Sequence, residues 1–325
     1  MHDKLGRPRS IARKSSGNAP TQSMPSIAKA LPLKLSKQMS IEDLFQAITG
    51  NCITQIQTNA ICLGQAYKVE NLHQMRVGLR RLRSALKLFK NVICIPEKWQ
   101  QDIKWLGDIL GSARNWDVLI DSTLPQIADT ISSESQFTEL KLAAQEKSNE
   151  KHAMALAAVC SRQYTQLIVN LSIWIDECGW RDVTPPKKLN RLKKPADKFV
   201  GNILLNKQAK LFKLGKDLHK SNSKNRHRMR IAAKEARYAS EFFQSLYPTN
   251  TVKPFLKMLA ALQNELGYLN DATVADFLLK ELQLEQKSLE ASIKKSRTYL
   301  RSRSKNDVKI IHKLWENFAL IMLPY

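Results

Sequence analysis

The chain has 325 residues, 43% of them hydrophobic, and Lys and Arg outnumber Asp and Glu by 52 to 29, for a net charge of +23. That length and composition suffice for one large or two medium cores, and the charge excess calls for an anionic partner while saying nothing of fold. The five cysteines are scattered without a Cys-x-x-Cys pair, which argues against a zinc knuckle or a disulfide framework and suits a reducing cytoplasm; no apolar run nears the roughly 18 residues of a membrane span.

In chain order, residues 1–39 are rich in Lys, Arg, Ser and Pro and read as a basic disordered tail. Pro8, Pro20, Pro25 and Pro32 interrupt the long amphipathic helix that a transit peptide would need. Ordered structure is expected from Ser40, a helix cap with Glu42 and Asp43 in the first turn, and Leu44, Ile48, Ile53 and Ile56 give that helix an apolar face toward Tyr67. A second helix around His73–Phe89 ends before Pro96. A third, from about Lys98, carries Ile103, Leu106 and Ile109 to Gly111, read as its stop, with Asn115 or Asp117 capping a continuation. A long helix is expected from about Glu139 to Trp174, and Cys178 to Pro186 mark a linker. Beyond it come a helix over about Asp197–His219, one from His227 to Tyr247, a segment Phe255–Leu266 with a turn at Gly267 and a cap at Asn270 or Asp271, and a last long helix with Trp315 near its end. No period-two strand appears, so the chain reads as all-α.

The second helix is the unusual one. At about 100° per residue, Met75, Leu79, Leu82, Leu86 and Phe89 form an apolar stripe, while His73, Arg76, Arg80, Arg83 and Lys87 fall on a second arc about 80° wide with no acid among them. Like charges one turn apart cost a few tenths of a kcal/mol per pair, so such a stripe suits a polyanion. The stretch recurs without a gap. His227, Met229, Arg230, Lys234, Arg237 and Phe243 answer His73, Met75, Arg76, Arg80, Arg83 and Phe89, and the copy departs at Glu235 and Glu241, opposite Arg81 and Lys87. A Leu-Gly element follows each copy, Leu110 to Asp117 and Leu266 to Asp271. A period of roughly 155 residues is too long for a solenoid and indicates an internal duplication about a pseudo-two-fold axis.

The paired His-x-Met-Arg helices, each followed by Leu-Gly with Asn and Asp, resemble the CHAD domain, the conserved histidine α-helical domain, over residues 40–325: a first half at 40–177, a linker at 178–188 and a second half at 189–325. The resemblance implies two pseudo-symmetric four-helix bundles around a basic groove or pore that binds inorganic polyphosphate, and a place in cytoplasmic polyphosphate granules. Carried over by motif, the binding residues are His73, Arg76, Arg80, Arg83, His227, Arg230, Lys234 and Arg237. Lys87 extends the first stripe, and Arg114 either joins it or only holds Asp117.

The residues themselves favour polyanion binding over chemistry. There is no Gly-x-x-x-x-Gly-Lys-[Ser/Thr] loop and no Glu-x-Glu-x-Lys strand, and the first stripe lacks the acidic pair that a phosphoanhydride hydrolase needs to hold a metal. No cofactor is expected. The two histidines sit one turn from arginines, which do not ligate metals, so they read as phosphate contacts or as helix-start packing. As contacts they would tighten binding as pH falls. Nucleic acid is the competing polyanion, but aromatics are only 7% of residues and are not interleaved with the cations as a stacking platform would require.

Overall fold

The structure is a computed structural model that describes residues 27–65, 68–131, 133–216, 218 and 223–321. All the regular elements among the described residues are helical: α1 (Ile41–Gln65), α2 (Val69–Phe89), α3 (Glu97–Val118), a π-turn at Leu119–Thr123 leading into the short α4 (Leu124–Ile127), α5 (Glu134–Val159), α6 (Arg162–Asp176), α7 (Pro186–Leu192), α8 (Asp197–Lys216), α9 (Ser223–Phe243), α10 (Thr249–Glu285) and α11 (Glu290–Ala319).

Helix α1 starts where its cap predicts. The Ser40 hydroxyl accepts from the Asp43 N–H at 3.1 Å, and the Asp43 carboxylate accepts from the Ser40 N–H at 3.0 Å, so two otherwise orphaned donors are satisfied reciprocally. Ahead of it, residues 27–35 are not the free tail read from composition. The Asn59 side chain engages both the N–H and the C=O of Ala28, and Asn51 donates to the Leu31 carbonyl, so the backbone is satisfied while running extended along α1. The rest of the expected tail, residues 1–26, and the expected reach of α1 to Tyr67 lie outside the described residues.

In the first half α2 packs between α1 and α3, and α6 closes the group against both α1 and α3. Its core centres on Phe45, whose ring lies 5.1 Å from Phe89 and 4.9 Å from Trp180, and it runs on into Phe242 and Phe243 of α9. In the second half α8, α9, α10 and α11 surround Phe255, Trp315 and Phe318. A third cluster joins the halves: Trp116, Leu119 and Leu140 from the first meet Leu279, Ile293 and Leu300 from the second.

Three sequence expectations need correction. The helix expected over Glu139–Trp174 is two helices, because Ser161 caps a new start: its hydroxyl accepts from the Tyr164 N–H at 3.1 Å. This frees α5 to pack against α3 and α11 while α6 packs on α1. Gly111 does not stop α3, and Gly267 does not turn α10; both helices run straight through, and Asn115, Asp117, Asn270 and Asp271 are interior to them. No glycine among the described residues has positive φ, so neither takes the left-handed conformation in which helices commonly end.

Candidate functional site

The basic stripe of α2 is aimed by its apolar one. Met75, Leu79, Leu82, Leu86 and Phe89 are all buried, and a β-carbon on Gly78 would stand 2.9 Å from the Ile56 side chain, so α1 and α2 lie unusually close. With one face locked on α1, the polar arc faces the seam where α2 meets α9, with α3 and α10 alongside. On α9, Met229, Ala232, Ala233 and Ala236 are buried in turn.

Across that seam the Nε–H of Arg80 donates to the Tyr238 hydroxyl, and its guanidinium lies 5.6 Å from that ring's centre. Arg76 lies over α3: its Nε is 3.5 Å from where a β-carbon on Gly111 would stand. Gly107, one turn earlier, likewise leaves room for Arg83, whose Nη1 is 3.8 Å from where a β-carbon on that glycine would stand. The Leu-Gly element read in the sequence as a helix stop is thus a shelf that Arg76 crosses.

Arg76, Arg80, Arg114, Arg230 and Lys234 act on one another's charge. Burial, with Arg80 and Arg114 beside it, pulls the Arg76 guanidinium down to about 10. Burial, with Arg230, Arg80 and Arg76 around it, takes the Lys234 amine from 10.5 to about 7. Arg230 is lowered by burial in the same way, and Asp271 offsets part of the shift. His73 is lowered by burial and then by Arg114, with Glu70 opposing. The Arg230 Nε and the His73 Nδ1 are buried without a hydrogen-bond partner. A buried donor in that state costs about 1–3 kcal/mol, so the site is built at a loss that an acceptor oxygen would recover.

Arg114 does both things the sequence left open. Its Nη1 is 3.8 Å from Asp117 Oδ2, and it also lies close enough to His73 and Arg76 to lower both. Asp117 is itself held from α5, through 2.6 Å to His152 Nε2 and 3.4 Å to the Ser148 hydroxyl. His152 and Ser148 carry no signal in the sequence that would have found them, since only the folding of α5 onto α3 brings them there.

Four expected residues stand apart from the cluster. Arg83 is exposed on the α3 side of the stripe, and His227 is exposed near the start of α9. The Arg237 Nε pairs with Glu241 at 2.6 Å. Lys87 pairs with Glu235 at 2.5 Å, and Lys207 and Lys210 of α8 converge on the same carboxylate at 3.0 and 3.2 Å. Burial works to raise the Glu235 carboxyl, but hydrogen bonds from Lys87 and Lys207 overcome it and hold the group at about 2. The two acids that interrupt the second stripe therefore neutralise cations at its margin. Among the described residues no group of three or more His, Cys, Asp or Glu side chains is placed to hold a metal ion, and no helix is long and apolar enough to cross a membrane.

An all-α chain in which two basic helices of related sequence meet along a seam with an excess of cations defines the class. The chain belongs to the CHAD domain family: the family's profile matches residues 47–280. The crystal structure of the CHAD domain from the plant Ricinus communis is similar at 36% identity and a TM-score of 0.80, over 90% of this chain and 96% of that one. PptA from Streptomyces chartreusis shares the fold at 14% identity and a TM-score of 0.63, over 86% of this chain and 99% of that one. No curated protein matches the chain.

Proposed function

We propose that this protein binds inorganic polyphosphate and performs no chemistry on it. The observation that carries the reading is the half-buried cluster of Arg76, Arg80, Arg114, Arg230 and Lys234, which leaves an amine held down to about 7 and two buried ring and guanidinium nitrogens unpartnered. Closely spaced guanidiniums fork onto phosphate oxygens, and an arginine at each helical turn, about 5.4 Å apart, matches a dense phosphate chain. Nucleic acid fits less well. Tyr238, which meets Arg80 across the seam, is buried with its hydroxyl engaged, so it offers no face on which a base could stack. Association with polyphosphate granules in the cytoplasm belongs to the same reading.

The test is a competition at physiological salt. Protein holding labelled long-chain polyphosphate is challenged with unlabelled polyphosphate or with single-stranded RNA at equal phosphate concentration. Displacement by polyphosphate alone is expected. Equal displacement by RNA would make the seam a general polyanion surface.

A further inference from the structure

Beyond Arg83 the basic arc of α2 runs out over a separate open cavity of about 660 Å³, walled by the end of α2, the loop that follows it and the start of α3. We propose that this cavity is a binding site for a nucleoside polyphosphate such as ATP, with the base in the cavity and the phosphates against the end of the basic stripe.

The cavity has two kinds of wall. Arg83, Lys90 and Lys104 supply three cations, with Lys87 beside them already paired to Glu235, against the carboxylate of Glu97. Its other side is apolar, formed by the half-buried Ile95 and Cys94 over Leu86, Ile93 and Ile103, which are themselves buried in the core. A bare phosphate chain has no use for an aliphatic wall, which water would leave only for an apolar or aromatic body. A ligand that answers both walls is an anion with a flat, largely apolar group attached. The polar groups beside the aliphatic wall are suited to a base edge. The Gln100 amide nitrogen donates to the Ile95 carbonyl at 3.3 Å, and the Gln101 amide nitrogen donates to Glu97 at 3.2 Å. Each glutamine keeps its oxygen as an acceptor and a second N–H as a donor, which suits adenine's exocyclic amine and its ring nitrogens. Arg83 joins the two regions: it lines the cavity and crosses α3 at Gly107, one turn from where Arg76 crosses at Gly111. The volume is within the range of pockets that enclose ligands of this size.

The site is distinct from the buried cluster of the preceding section, and its ligand is recognised by a different term. Charge alone ranks tripolyphosphate above ATP, because tripolyphosphate carries the greater charge on fewer atoms. A wall that binds the base reverses that order. Protection of Cys94 from alkylation, titrated with ATP and with tripolyphosphate without added metal, is therefore the decisive pair, because it reads this cavity and not the buried cluster. ATP is expected to bind about tenfold more tightly or better, which is roughly what one well-buried apolar contact surface supplies. Ile95→Ser should remove most of that advantage while leaving tripolyphosphate binding as it was. Lys104→Gln, at an exposed position where folding is not at risk, should weaken ATP severalfold. The same readout fixes the location, because Cys94 lines the cavity. Bound ATP should slow its alkylation by a maleimide, followed by mass spectrometry of the Cys94 peptide, and tripolyphosphate should not. Tripolyphosphate shielding Cys94 as well as ATP does, or ATP affinity unmoved in both variants, would overturn the assignment.

Discussion

The residue on which the site turns is Lys234. Its amine is held at about 7, first by burial and then by Arg230, Arg80 and Arg76. A phosphate chain replaces that repulsion with attraction, so the amine regains its proton in the complex. The empty site refuses, above pH 7, a proton that the complex holds; binding then takes up a proton, and affinity falls by up to about tenfold per unit as pH rises past 7. Titration calorimetry at pH 8 in two buffers of different ionisation enthalpy should read an uptake near one proton, and Lys234→Arg should remove most of it. No uptake by the unmodified protein would take Lys234 out of the account. His73 acts in the same direction but lower, since burial and Arg114 depress it, so the tightening expected from histidine belongs to the acid side. Arg76 makes the cost of the site measurable. Arg76→Met removes a buried cation that lies among its like, so it should raise the stability of the ligand-free protein by about 1 kcal/mol while weakening polyphosphate binding. A fall in both would mean that Arg76 holds the fold together.

At the scale of elements the helices were legible and the meaning of their glycines was not. The cap at Ser40, the two related helices and the absence of strands among the described residues all follow from local pattern, which is where helix signals reside. The basic stripe was legible for the same reason, and Arg76, Arg80, Arg230 and Lys234 do meet in the fold. Gly111 was read as a stop because a glycine that ends a helix and one that lets a side chain cross it look alike in sequence; what distinguishes them is Arg76, on another helix. His152 was missed for the same reason, since its partner Asp117 lies on α3. Helix α8 offers a test of how glycines divide. A β-carbon on Gly215 would stand 1.9 Å from the Trp315 ring, whereas one on Gly201 meets nothing within 4 Å. Gly215→Ala should cost about 1–3 kcal/mol by overpacking, and Gly201→Ala should add about 0.5–1 kcal/mol through helix propensity alone. Thermal melts of the two variants should move in opposite directions; movement in the same direction would contradict the packing of α8 on α11.

At the scale of the whole molecule the seam sets how the protein answers salt and ligand. Neutralising several phosphates at once releases their counterions, so affinity should fall steeply and linearly in log salt, with a slope that loses about one unit for each arginine removed from the cluster. Long-chain polyphosphate should raise the melting temperature, and more so at low ionic strength, where the empty seam repels itself least screened. A melting temperature indifferent to polyphosphate would mean that the folded protein does not bind it selectively. The margin of the seam has a further consequence, which concerns how a duplicated chain keeps its copies in order. Each half carries a version of the same helix, so two molecules offer like halves to each other as readily as one molecule offers unlike halves to itself. Charge separates these pairings. Where the first version has Arg81 and Lys87, the second has Glu235 and Glu241, and in the closed chain Lys87 reaches Glu235 across the seam. Two first halves would set cation on cation with no acid to answer, and two second halves would leave Glu235 without its partner from α2. The divergence of the copies is therefore an address: it directs each half to its own sister and away from every other molecule's.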